Sequence, residues 1–453
     1  MDVTRTIAEF AAATRLADVP QRAIDGAKIA ILDTFGVALA ASTLQLGRIL
    51  NEHVASLGGL PQARVLGSGL RTSAPLAGLA NGTLAHALDF DDRGHLSTHS
   101  LPSALAVAES RALSGERLLE AYIVAREVAA RVTDAIEAKR KSGGGPTYRG
   151  SYRVGVAGPI SGAVAAGKLL GLDAGQMARA LGIAASSAMG LRRNQGTMTK
   201  ALHAGNGAQN GIQAALLAQR GFTGDPDIFE APLGLFSLLC LPGECDPARA
   251  TDRLGRPFEL DQPPSIKPFP ACTPSHMPIE AVLKLKAEHR IAAADVESVD
   301  ADFHTFSLFR VDPREAVAAG FSLPYLASVA LIDGAVTVDH ISDERIQDPA
   351  VRAMMARIKP LPEGAEEDGP ERVTIHLKDG RSVSTEIRHA RDITETAEIE
   401  AKFRDCATRV LTPEQAERLR EQVARLETIA NVNDLTLSVP SPAFAVRAGP
   451  GEG

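Results

Sequence analysis

Positive charge is in short supply in this chain. It has 48 Lys and Arg against 55 Asp and Glu in 453 residues, a net charge of −7. Such a balance gives no overall basic field and excludes nucleic-acid binding through bulk charge. Cysteine is scarce too: Cys240, Cys245, Cys272 and Cys406 form no CxxC pair and no zinc-ligand spacing. Four cysteines make no disulfide framework in a chain this long, so reduced thiols and a cytoplasmic location are expected. No run of 18 apolar residues escapes a charged or polar break, which argues against a membrane-spanning helix. The first thirty residues lack a basic stretch followed by an apolar one, so no signal peptide is expected. What remains is an ordinary globular composition, 45% hydrophobic and 23% charged, with enough length for two large domains and a sizeable core.

The first 240 or so residues read as successive helices, rich in Ala and Leu and punctuated by Gly and Pro. From Pro20 to Ser42, apolar residues recur at helical spacing, and the small side chains suit a helix buried on several sides. Further helices are expected at Ala74–Leu88, His99–Leu113, Glu116–Ala138, Ala157–Leu170, Asp173–Ala188 (capped by Asp173) and Asn206–Gln219. Prolines 263, 264, 268 and 270 rule out a helix there and mark a domain boundary. Beyond it the pattern is α+β: a helix at Pro278–His289, a strand at Val296–His304 and a helix at Ser322–Asp333. A hairpin follows, from Val373–Leu377 through Lys378–Arg381 to Ser382–Arg388. Glu363–Glu371 reads as a solvated acidic loop, Pro413–Leu426 as a final helix, and the residues after Val439 as a frayed tail.

Three motifs are decoys. Gly162 to Lys168 matches the GxxxxGK half of a phosphate loop, but Leu169 stands where the metal-ligating hydroxyl belongs and no strand precedes it. Asn81-Gly82-Thr83 is a glycosylation sequon without a secretion signal, and Cys240 with Cys245 lacks further ligands for a metal.

Two polar knots differ in kind. Between Asn81 and Ser103, the carboxylates of Asp89, Asp91 and Asp92 are surrounded by His86, His95 and His99. Carboxylates beside imidazoles suit proton transfer or a divalent metal, and equally a solvated helix end. Between Leu191 and Gly205, Arg192, Arg193, Lys200 and His203 gather positive groups in a Gly-containing loop, which suits an anionic substrate or an ordinary basic surface. A lysine between apolar flanks can lose proton affinity and act as a base.

These knots, with Leu32–Gly36, Gly155–Pro159, Gln219–Gly224, Lys267–Cys272, His276 and Phe321–Tyr325, resemble the MmgE/PrpD family in the same order over about 300 residues. The family includes 2-methylcitrate dehydratase, cis-aconitate decarboxylase and iminodisuccinate epimerase. The resemblance implies a mainly α fold: a large all-helical domain built from both chain ends (1–262 and 396–453) and a smaller inserted α+β lid domain (263–395). It also implies a homodimer, an active site in the cleft between the domains, and no metal or organic cofactor. By matched position, the catalytic set falls on Asp89, His99, Lys200 and Tyr325. Arg93 stands where the family has Thr. Tyr152, followed by Arg153, stands where it has a histidine.

A tyrosine titrates near 10, so Tyr152 needs a neighbouring cation to act as a base. The added arginines, Arg93, Arg153 and Arg193, suit a substrate with several carboxylates. Lys267 and His276 are further candidates for binding it, and Cys272 reads as a packing residue. The expected function is a cofactor-independent lyase that takes a proton from carbon beside a carboxylate of a small di- or tricarboxylate, by dehydration or decarboxylation. Lys200 or His99 would be the base, Tyr152 or Tyr325 the acid, and Asp89 an orienting group. The alternatives are an isomerase of an iminodisuccinate-like dicarboxylate and a non-catalytic dicarboxylate-binding homologue.

Overall fold

The computed structural model describes residues 2–138, 150–302, 310–361 and 370–437. Helices α1 (Val3–Ala13), α2 (Gln21–Ala41) and α3 (Gln45–Leu57) lead into a small ribbon, β1 (Ala63–Arg64) paired antiparallel with β2 (Arg71–Thr72). Then come α4 (Ala74–His86), α5 (Ser97–Ser110), α6 (Gly115–Ile136), α7 (Arg153–Leu170), α8 (Ala174–Ala185), α9 (Met198–Gln219) and the short α10 (Leu235–Leu239). Helices α1 and α3 and the ribbon add to the elements expected from sequence. α1 buries Val3, Ile7, Ala8 and Ala11 on one face, which is what holds it to the core.

Glycine sets how closely the central helices meet. A Cβ built on Gly207 of α9 would lie 2.7 Å from the Cα of Gly158 in α7, and one on Gly211 2.5 Å from the Cα of Gly162. On the other side of α9, a Cβ on Gly205 would lie 2.2 Å from the Leu79 carbonyl oxygen of α4. Backbone-to-backbone contact therefore fixes α4, α7 and α9 against one another. The end of α4 and the starts of α7 and α9 carry the polar residues considered below.

The phosphate-loop look-alike is the interior of α7. Lys168 is buried, donates to the carbonyls of Ala11 (3.1 Å) and Thr14, and pairs with Glu120 at 3.3 Å. The sequon residue Asn81 is fully buried in α4, where it accepts from Leu66 N and donates to Arg64 O. Asp173 caps α8 as expected, accepting from Gln176 N at 2.7 Å while the Gln176 side chain accepts from Asp173 N.

Two boundaries are corrected. α9 begins at Met198, so Lys200 and His203 sit on a helix rather than in a loop. Gly196 at φ +76° makes the turn that lets the helix start there. α7 begins at Arg153, four residues before the expected start. The cysteine expectation is corrected too: Cys240 and Cys245 are disulfide-bonded. The turn closed by Glu244 N on Leu241 O, with Gly243 at φ +79°, brings their Cα atoms to 5.8 Å. Cys272 and Cys406 are free.

After the proline-rich connection come α11 (His276–His289), β3 (Val296–Asp302), α12 (Ala316–Ala319), α13 (Leu323–Asp333), α14 (Asp343–Gln347), α15 (Pro349–Met355), β4 (Ile358–Leu361), β5 (Glu371–Leu377) and β6 (Ser382–Ile387). The sheet order is β4-β3-β5-β6, with β3 and β4 parallel and the other neighbours antiparallel. Alternation buries Val373, Ile375 and Leu377 on one face of β5, and α11 packs against that strand. The unexpected strand β4 lies at the sheet edge, where Pro360 is tolerated. Glu371, read from sequence as the end of an acidic loop, is buried at the start of β5. Residues 363–369 of that loop, the last two residues of the expected strand to His304, and the tail after Val439 lie outside the described residues.

The chain then returns to the helices. α16 (Thr396–Ala407) packs on α2, with Phe403 against Gly36, and α17 (Pro413–Ala424) follows. The fold is mainly α, as expected, and its strands among the described residues form only the β1–β2 ribbon and the small mixed sheet. Among the described residues no single helix is long and apolar enough to cross a membrane.

Candidate active site

The residues between α4 and α5 form a tight polar loop in which Asp89 (φ +49°) and His95 (φ +59°) take left-handed conformations. Its three carboxylates point to three different sets of partners. Asp91 accepts from His86 Nδ1 (3.2 Å) and His95 Nδ1 (2.6 Å). Asp92 accepts from Ser97 Oγ (2.6 Å) and Arg126 Nη1 (2.9 Å). Asp89 lies 2.6 Å from Lys267 Nζ and 3.2 Å from Lys200 Nζ, with His95 Nε2 at 3.6 Å. Asp89 is 1% exposed, Lys200 2% and Lys267 0%, so these charges face each other with almost no water between them.

Burial sets most of the proton affinities. It would raise the Asp89 carboxyl, but Lys200 and Lys267 outweigh it and hold the group well below the usual carboxylate range. Burial also works against ionised Asp91, and His95 and His86 overcome it. Lys200 is shifted down by burial, partly offset by Asp89 and Asp91, so its ammonium gives up a proton more readily than a surface lysine. His86 is lowered to about 3 by burial and then by Lys200, and His99 to about 3 by burial.

The charge on Asp91 fixes the imidazole tautomers. A carboxylate only accepts, so His86 and His95 both carry hydrogen on Nδ1. His86 Nε2 is then an acceptor, and the Tyr152 hydroxyl, 2.8 Å away, donates to it. Tyr152 sits at the N-cap of α7, buried, with its ring 6.0 Å from Lys200 Nζ. Burial raises its hydroxyl well above the ordinary value, and Asp89 and Asp91 add to the shift, so it stays protonated. The ligating atoms of His86, Asp91 and His95 lie within 4.8 Å of one another, close enough to share a metal ion. Asp91 also accepts hydrogen bonds from both imidazoles of the trio.

The structure thus brings Asp89, Lys200, Tyr152 and Lys267 together. Lys267 also donates to the Asp89 carbonyl (2.8 Å) and the Ala271 carbonyl (3.4 Å). His276 stands behind it, donating from Nε2 to Ala271 O at 3.0 Å, with its ring 5.4 Å from Phe269. His99 is buried on α5, and the charges that bear on it most are Asp92 and Arg126.

Tyr325 is not brought to this cluster. Its hydroxyl donates to the His340 carbonyl, among Arg345 and Asp333. Arg93 is engaged by Asp392 and the Arg391 carbonyl (2.7 Å), and Arg153 by Glu137 (3.5 Å) and the carbonyls of Arg93 and Gly94. Both arginines line a cavity of about 480 Å³ whose lining includes none of Asp89, Lys200 and Tyr152. Arg193 is exposed in a short 3-10 turn.

Four neighbours were not assigned to the site from sequence. Asp91 and His86 orient Tyr152, and both were legible only as members of the polar knot. The Cys272 thiol is pushed up to about 12 by burial and then by Asp89, which places it within electrostatic reach of the cluster as a neutral thiol. His203 lies one turn beyond Lys200 on α9, with its ring 5.5 Å from that of Tyr152. The i, i+3 spacing of Lys200 and His203 is the signal that finds it.

Residues 5–247 match the MmgE/PrpD N-terminal domain and residues 269–428 the MmgE/PrpD C-terminal domain. Cis-aconitate decarboxylase of Homo sapiens is 27% identical over 479 aligned residues, covering 99% of this chain and 97% of that protein. The Mus musculus cis-aconitate decarboxylase is 28% identical, covering 92% and 89%. The Aspergillus terreus cis-aconitate decarboxylase is 25% identical, covering 96% and 95%. With both family domains matched across most of its length, the chain belongs to the MmgE/PrpD family of enzymes.

Proposed function

We propose that this chain is a lyase that decarboxylates a small tricarboxylate of the cis-aconitate class, using charges supplied by its own side chains. The observation that carries the reading is the buried Lys200–Asp89–Lys267 cluster beside a protonated Tyr152. Lys200 and Lys267 both face the Asp89 carboxylate, and Lys200, already destabilised in its charged form by burial, is the ammonium that would gain most from an anionic substrate. Loss of carbon dioxide leaves an electron pair on carbon conjugated to a remaining carboxylate. The dienolate so formed carries added charge on oxygen, and a buried ammonium placed there stabilises it.

Carbon then takes one proton, from Lys200 or Tyr152, and solvent restores it. The sum is one tricarboxylate and one proton in, one dicarboxylate and one carbon dioxide out. Homology to proteins named cis-aconitate decarboxylase supports the reaction class and the tricarboxylate.

The test is proton NMR of cis-aconitate with the enzyme in deuterium oxide. New vinylidene signals and one deuterium per product are expected. Deuterium entering recovered substrate without a new olefin would assign an isomerase instead, and a thermal shift with no exchange or turnover would assign a binding protein. Lys200→Ala is expected to lower kcat by about 10²–10⁴-fold while the fold is kept. Near-wild-type turnover in that variant would remove Lys200 from the chemistry.

A further inference from the structure

Asp89 holds a conformation that a residue with a Cβ seldom adopts, φ +49°. Such a backbone persists only where its surroundings over-determine it. Two buried ammoniums do so here, one on each of two successive peptides. Lys267 donates to the Asp89 carbonyl at 2.8 Å. Lys402 donates to the Phe90 carbonyl at 2.6 Å, and its Nζ lies 3.8 Å from the centroid of the Phe90 ring.

Lys402 arrives from far along the chain. It lies on α16, after the sheet has been completed, and its side chain is 5% exposed. Its counter-ion is Asp33 of α2, at 2.7 Å and 2% exposed. Neither Asp33 oxygen has a hydrogen-bond partner besides this ion pair. A buried carboxylate with no other partner, aimed at a lysine whose remaining bond goes to one loop carbonyl, has little to do except hold that lysine in place. The conspicuous Leu32–Gly36 stretch gains a role in this way.

We propose that Lys402, anchored by Asp33, is a positioning residue for the reaction. By gripping the Phe90 carbonyl it fixes the Phe90–Asp91 peptide while Lys267 fixes the Asp89–Phe90 peptide. The strained loop then presents Asp89 to Lys200 on one side and Asp91 to His86 and His95 on the other. The inference rests on the reading of Asp89 and Lys200 as the reaction centre.

Removing Lys402 alone leaves Asp33 buried without its counter-ion, its carboxyl already raised to about 6 by burial and driven further towards the protonated form, and that variant can fail to fold. The informative protein is therefore the pair Asp33→Asn with Lys402→Met, which leaves no unmatched charge. It is expected to keep a cooperative unfolding transition near that of the wild type, while kcat on the tricarboxylate falls about 10²-fold, the effect of a small misplacement of reacting groups, with KM little changed. Lys402→Arg, which can still donate to both partners, is expected to recover part of kcat. A purely structural role predicts wild-type kcat in the double variant once it is folded, and that result would overturn the proposal. A crystal structure of the double variant tests the loop geometry without reference to turnover. Asp89 leaving the left-handed region and its carboxylate leaving Lys200 supports the inference even if the wild type acts on no tricarboxylate, and an unmoved Asp89 refutes it.

Discussion

Tyr152 and Lys200 stand close together and respond to burial in opposite senses. Burial keeps the phenol protonated and makes the ammonium readier to lose its proton. Tyr152→Phe removes the donor to His86 Nε2, and steady-state kinetics are expected to show kcat reduced by about 10²-fold or more. Tyr325→Phe removes only a donor to the His340 carbonyl, so denaturant unfolding is expected to show a loss of about 1 kcal/mol.

His99 supplies a pH test. Its folded value of about 3 lies below the ordinary 6.5, so from pH 6.5 down towards 3 the unfolded chain binds a proton that the folded chain refuses. The stability conferred by the neutral imidazole is complete above 6.5 and is lost as pH falls through that window. The advantage of wild type over His99→Gln is therefore expected to shrink by about 1.4 kcal/mol per pH unit between pH 6 and 4. Parallel curves from urea unfolding would show an imidazole that charges freely. At this scale the sequence was readable where charge interrupts apolar helix, as at Asp89 and Lys200. The pairing of Lys267 with Asp89 was not, because the two lie 178 positions apart and no local pattern connects them.

Helices α4, α7 and α9 form one rigid platform because glycine lets their backbones touch. In Gly207→Ala the new methyl group meets the Gly158 backbone, which has no side chain to swing aside. A stability loss of about 1–3 kcal/mol is expected. Because Lys200 is carried by α9 and Tyr152 by the start of α7, kcat is expected to fall together with the melting temperature. Calorimetry and kinetics on the same preparation check both. Helix type was legible from spacing along most of this region. The start of α9 was missed because Gly196 and two threonines read as a loop, whereas they form the turn that launches the helix. Strand β4 was missed because its proline argues against a strand except at an edge, and edge position is set by the whole sheet.

The proline-rich connection was readable as a change of composition, but what holds the returning segment in place was not. Arg64 donates to the carbonyls of Leu435 (2.6 Å) and Asn433 (2.7 Å), while Lys402 reaches Asp33 and the Phe90 carbonyl. These contacts span more than 300 positions, beyond any local pattern. A chain ending at residue 395 keeps every strand found among the described residues yet strips the covering of α2 and leaves Asp33 without its lysine. It is expected to lose cooperative thermal unfolding, as followed by circular dichroism. A sharp wild-type-like transition would mean that the first 395 residues fold by themselves.

The reach of Lys402 back to the Phe90 carbonyl also sets an order of events in the cell. A ribosome exposes α4 through α9 well before residue 402 is translated, so the growing polypeptide carries its acidic loop ungripped for much of its synthesis. With Lys402 as a positioning residue, full competence for chemistry is expected only once α16 has emerged from the exit tunnel, and products that stop short of it are expected to be impaired.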